Sequence, residues 1–188
     1  MSQQVMVLYT CFLALLSCLT SARAQPLSIS VPDENSHVKD LAQLVNAEDL
    51  TAINAICNDL QTQREIPMFV VTIESMASQG AADTSIESFA WDLFEQWGAD
   101  PEFAAAPHWR HGILFLISKN DRRARIELGM DWGPEHMQGT TDIMNRIIVP
   151  SFKSGEFSTG ILKGVTALES LDRLEPGAVP AVSDGSPM

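Results

Sequence analysis

HGILFLISKNDRRARIELG, residues 111–129, holds two strands and the turn between them. Ile113-Leu114-Phe115-Leu116-Ile117 is a continuous apolar run of strand length, the pattern of a strand buried on both faces. Lys119-Asn120-Asp121-Arg122 is polar and rich in turn formers. From Arg123 to Leu128 charged residues (Arg123, Arg125, Glu127) then alternate with apolar ones (Ala124, Ile126, Leu128). A period of two predicts a strand with one face in a core and one face wet, so the stretch reads as a β-hairpin.

Upstream, Met68-Phe69-Val70-Val71-Thr72-Ile73 is a second buried-strand run, and before it Leu50, Ile53, Ile56, Cys57 and Leu60 recur at helical spacing within Ala47 to Arg64. Between this strand and the hairpin, Ile86, Phe89, Ala90, Leu93, Phe94 and Trp97 follow offsets of three and four, which predicts a helix ending at Gly98. Strand, helix and strand at this spacing predict a right-handed parallel crossover. Downstream, further helices are expected over about 141–149 and about 156–173. In the second of these, Gly160 and Gly164 lie one turn apart and let the backbone approach the sheet. Alternating helices and strands make this an α/β chain.

The two ends read differently. Val5 to Leu19 is apolar and is followed by Ser21-Ala22-Arg23-Ala24, the small-x-small pattern of a secretion signal, so residues 1–24 are expected to be cut away and the product to be periplasmic. The run is short for a membrane span; an N-terminal anchor that is retained, or lipidation at Cys18, are the alternatives. From Glu175 onward Pro, Gly, Ala, Val and Ser occur without period, so residues 175–188 read as a disordered polar tail with no C-terminal membrane anchor. Cys11 and Cys18 fall in the signal, which leaves Cys57 on a helical stripe as a buried, inert thiol. A formal charge of −12 argues against nucleic acid or anionic membrane as partner and favours cations or basic protein surface.

Val38-Lys39-Asp40-Leu41-Ala42, IPMFVVTIESM (66–76), IESFAWDLFEQWG (86–98), the 111–129 stretch and IIVPSFKSGEFSTGI (147–161) occur in the order and spacing of the TPM domain, and the chain resembles that family over 32–174. The family includes a thylakoid-lumen phosphatase and many bacterial envelope proteins. The resemblance implies a three-layer α/β/α sandwich around a small mixed sheet, with a cleft near the strand ends that in some members holds a divalent cation, often Ca2+. Where the family usually has glycine-leucine-glutamate-glycine and a following aspartate, this chain has Gly129-Met130-Asp131-Trp132-Gly133-Pro134-Glu135-His136, resembling a divergent Trp-Gly subgroup.

On this basis the expected calcium ligands are Asp131 with Asp40 or Asp142, and the expected cleft rim is Trp132, Glu135 and His111. That expectation requires Asp131 and Trp132 to lie near the C-terminal end of the 68–73 strand. The same acids read equally as a solvated surface, and Trp132 as a plug that pins a Gly-Pro loop. Arg110-His111-Gly112 opens the histidine acid phosphatase signature but lacks its following arginine and proline, and no phosphate loop or nucleophile elbow occurs. Arg122, Arg123 and Arg125 can steer an anion or simply solvate a strand face. The resulting expectation is an exported accessory or binding module acting on envelope or membrane proteins with basic surface; the alternative is a metal-dependent acid phosphatase, a phosphomonoesterase.

Overall fold

The computed structural model describes residues 27–33, 36–103 and 105–173; the expected secretion signal and polar tail lie outside them. In chain order the elements are β1 (Val38–Asp40), α1 (Ala47–Arg64), β2 (Met68–Ile73), α2 (Ile86–Gly98), β3 (Ile113–Ser118), β4 (Arg123–Leu128) and α3 (Glu135–Ile143). A π-helical turn (Met144–Ile148), α4 (Val149–Lys153) and α5 (Phe157–Glu169) complete the chain. The sheet order is β1-β2-β3-β4; β1, β2 and β3 run parallel and β4 returns antiparallel to β3.

Local chemistry sets these bounds. Every residue of β2 and of β3 is buried, as their unbroken apolar runs require, whereas β4 passes from an exposed Arg123 to a buried Leu128. The Asn46 side chain accepts the Asp49 N–H at 2.8 Å and starts α1. Ser85 does the same for α2 through the Ser88 N–H at 3.1 Å. Such caps satisfy backbone donors that the first helical turn leaves free.

Helices cover both faces of the sheet, which gives the three-layer α/β/α sandwich. On one face Ile53, Cys57 and Leu60 of α1 and Ile161 and Val165 of α5 pack with Phe115 and Ile126. On the other, Phe89, Leu93 and Trp97 of α2 pack with Phe69, Leu114 and Trp109. Cys57 is fully buried, and burial pushes its thiol far above the usual range. Ile29 is also fully buried, and its carbonyl accepts the Trp97 indole N–H at 3.1 Å, so this layer of the core extends back to Ile29.

The helical region expected over 141–149 starts earlier, at Glu135, and continues through the π-helical turn to Lys153. The helix expected to 173 ends at Glu169, followed by a 3-10 turn, Leu171–Arg173. A Cβ added at Gly164 would lie 2.9 Å from the Ile148 side chain and 3.2 Å from the Phe115 ring, and one at Gly160 would lie 2.8 Å from Ser151 Cβ. Gly160 lets α5 close on the preceding helix, and Gly164 lets it close on both that helical segment and the sheet. Among the described residues no helix is long and apolar enough to cross a membrane.

Candidate functional site

The antiparallel turn of β4 decides which residues share an end of the sheet. Leu128 stands opposite Ile113, and Ile113 stands opposite Met68, so the chain leaving β4 emerges where β2 and β3 begin. Asp40 instead stands opposite Thr72, where β1 and β2 finish. A six-residue strand at about 3.3 Å per residue keeps these ends roughly 16 Å apart. The structure therefore does not bring Asp131 and Trp132 to the C-terminal end of β2, nor Asp131 to Asp40.

Each expected ligand is engaged nearby. Asp131 is exposed and accepts Arg110 Nε at 3.1 Å and Nη2 at 3.0 Å, while its backbone N–H donates to the Arg110 carbonyl at 2.9 Å. The Asp40 carboxylate accepts the Leu44 and Val45 N–H groups, each at 3.0 Å, together with the Thr72 hydroxyl, and so shapes the loop between β1 and α1. Asp142 faces Arg146 Nε at 3.5 Å one helical turn on. Glu135 lies 3.5 Å from His136 Nδ1. Calcium takes about six to eight oxygens. Among the described residues no three His, Cys, Asp or Glu side chains converge in a way that could hold a metal ion, so this set does not fit a shared calcium shell.

The start of the parallel strands is closed. A Cβ on Gly129 would come within 2.2 Å of the Arg110 carbonyl oxygen, and one on Gly112 within 2.4 Å of the Trp109 ring. Trp109 stacks on Phe94 at 4.2 Å and donates its indole N–H to the Phe94 carbonyl at 2.8 Å. Trp132 donates its own to the His111 carbonyl at 3.0 Å and lies between the rings of His111 (4.6 Å) and His136 (4.8 Å). This is the geometry of a plug. A hollow of about 40 Å3, with room for a few waters, lies beside buried His37, whose imidazole burial holds below its usual pKa against a hydrogen bond with the Met68 backbone.

The opposite end is open. A cleft of about 790 Å3 wraps the tip of the β3–β4 hairpin. Lys119, Arg122 and Arg123 line it from the hairpin, Glu87 from α2, and Lys153 and Phe157 from the helical side. Lys119 pairs with Glu74 and donates to the Ala42 carbonyl, both at 3.3 Å. Arg122, Arg123 and Lys153 are exposed and have no carboxylate at ion-pair distance among the described residues. Every other described arginine is paired, namely Arg64, Arg110, Arg125, Arg146 and Arg173.

The hairpin tip is held from beneath. Asp121 accepts the Ser118 hydroxyl at 2.6 Å and the Met76 N–H at 2.7 Å, and these two bonds hold its carboxyl below the usual carboxylate range. Glu87 is lowered too, first by its own backbone N–H and the Ser85 hydroxyl, then by the charges of Arg125 and Arg123. Arg122 occupies the left-handed region at φ 53°, where glycine would be the cheaper residue. Sequence reasoning reached Arg122 and Arg123 but missed Lys119, Lys153 and Phe157. The Lys-Asn-Asp-Arg-Arg run was a usable signal for part of this, because such a cluster is conspicuous in a chain of charge −12.

Residues 38–171 match the protein family described as the TPM domain. Among solved structures, the chain is similar to the solution NMR structure of the N-terminal domain of a P. gingivalis protein, at 24% identity over 73% of this chain and 82% of that one, with a TM-score of 0.59. It is similar as well to the N-terminal domain of a Corynebacterium glutamicum protein, at 14% identity over 86% and 97% of the two chains and a TM-score of 0.52. The NMR structure of the BA42 protein from Bizionia argentinensis aligns at 18% identity over 69% and 81%, with a TM-score of 0.50. No curated protein matches. Likeness at these identities carries the fold.

Proposed function

The chain belongs to the TPM domain family, and from that premise we propose that it is a binding module which holds an anionic group of a partner protein in the cleft at the finishing end of its parallel strands. One observation carries this reading: Arg122, Arg123 and Lys153, which have no carboxylate at ion-pair distance among the described residues of a chain of charge −12, converge on a single cleft of about 790 Å3. Low-dielectric walls focus the field of such cations and raise the local concentration of an anion. The acidic surface elsewhere favours a partner whose flanking surface is basic. An envelope partner is supported by residues 1–24, whose apolar run and Ala22-x-Ala24 pattern read as a secretion signal.

The test is a titration with citrate and with inorganic phosphate, followed by calorimetry. Saturable binding that weakens as salt rises, and that is abolished when Arg122, Arg123 and Lys153 are changed together to alanine in a chain that still melts cooperatively, is the expected result. Absence of binding, or equal binding by the triple variant, overturns the proposal. The same three cations would suit a phosphoryl group, which makes a metal-dependent phosphomonoesterase the second reading. Turnover of a phosphomonoester in the presence of calcium, lost in Arg123→Ala, would promote it over the first.

A further inference from the structure

The cleft carries an apolar signature beside its charge. Phe152 and Phe157 are half-buried with ring centroids 5.2 Å apart, and Met144 and Val149 extend the same wall. A lone carboxylate or phosphate has no use for that surface. The volume also lies within the range of about 300–1,000 Å3 that takes a ligand of several functional groups. Nor is the lining uniformly cationic, because Glu87 contributes a carboxylate from α2; this suits localised negative charge better than a polyanion such as nucleic acid.

We infer that the occupant is an acidic peptide segment bearing a large apolar side chain, with its carboxylates on Arg122, Arg123 and Lys153 and its apolar group against the Phe152–Phe157 pair. The inference rests on the anion-binding reading above and specifies its ligand. Charge complementarity selects the acidic part, and the half-buried aromatic wall beside it selects the apolar part. A membrane surface fits less well, since the cations and rings line a concavity and the chain as a whole repels anionic lipid at a charge of −12.

Fluorescence anisotropy with three labelled peptides of equal length decides the matter: one rich in Asp and Glu around a central Phe, one with that Phe replaced by Ser, and one with every acid replaced by its amide. The first should bind about tenfold or more tighter than the second, the gain expected from burying one large apolar side chain, and the third should not bind. Phe157→Ala should erase the difference between the first two peptides while leaving weak acidic binding, with Phe157→Leu as the variant that preserves packing. Equal binding of the first two peptides to the unaltered chain, alongside saturable binding of inorganic phosphate, overturns the peptide inference and leaves the anion site standing. Binding of neither peptide nor phosphate overturns both. Capture by phosphatidylglycerol vesicles with no peptide binding overturns the inference in favour of a lipid surface.

Discussion

The two ends of the sheet are made of similar residues and end in different states. Where the parallel strands begin, arginine and aspartate meet as Arg110 and Asp131, Trp132 is pinned by the His111 carbonyl, and Gly129 lies so close to the Arg110 backbone that a single methyl group would collide with it. Where the parallel strands finish, Arg122 and Arg123 project from a hairpin tip with no carboxylate at ion-pair distance among the described residues, and Lys153 approaches from another element. A carboxylate at the closed end is already neutralised, so it has little to offer a ligand. Cations at the open end are not, and this contrast in spent and unspent charge is what sets the proposed site apart from the scaffold.

The largest effect expected from attacking the contrast lies at the closed end. Trp109→Ala removes a buried ring that stacks on Phe94 and should cost about 4 kcal/mol in urea unfolding. Gly129→Ala follows at about 2–3 kcal/mol, because the new methyl group meets backbone that has no rotamer to yield. Neither change should alter affinity for citrate in the fraction that folds. A selective loss of affinity in a folded Gly129→Ala chain would mean that the two ends are coupled.

Smaller effects belong to the open end. Asp121→Asn should cost about 1 kcal/mol near neutrality by weakening the bonds from Ser118 and Met76. The sign with pH follows from the depressed folded-state pKa of Asp121: its contribution is complete above the ordinary carboxylate value of about 3.9 and is lost as pH falls through the lower folded-state value. Melting curves of the two chains should accordingly converge as pH drops below about 4. Smallest of all is the stability change in Arg122→Gly, in which relief of the left-handed strain, about 1 kcal/mol, is offset by the entropy of glycine. Its midpoint should stay at or slightly above that of the unaltered chain while citrate affinity falls. A clear loss of stability would show that Arg122 is there for the turn and not for a ligand.

Much of the fold is legible in the residues. The unbroken runs at 68–73 and 113–117, the alternation at 123–128 and the stripe at 86–97 identify β2, β3, β4 and α2 within a residue or two. β1 is not, because three residues hold no period. The start of α3 is hidden by its polar, glycine-containing opening, Glu135-His136-Met137-Gln138-Gly139, and the π-helical turn at 144–148 then shifts the apolar stripe out of phase. The expected placement of Asp131 near the C-terminal end of β2 fails for a topological reason that the sequence already contained. A hairpin over 113–128 combined with a parallel crossover from 68–73 sends Gly129 to Trp132 to the end where the parallel strands begin. The rule that sites gather beyond carboxyl ends of strands holds for the parallel members of such a sheet, and β4 is the antiparallel one. The meeting of Lys153 and Phe157 with Arg122 was not legible, since residues 30 or more apart in sequence come together only through tertiary packing, Lys153 from the end of α4 and Phe157 from the start of α5.

The proposed ligand enters at the finishing end of the parallel strands. The most direct measurement is the map of backbone amide NMR shifts as citrate is titrated into the isotope-labelled chain. Saturating perturbations confined to the start of α2, the hairpin tip around Lys119 to Ala124, and the wall from Met144 to Phe157 are the predicted result. Perturbations centred on Trp109 to Gly112 and Gly129 to His136, with the hairpin tip silent, would contradict it.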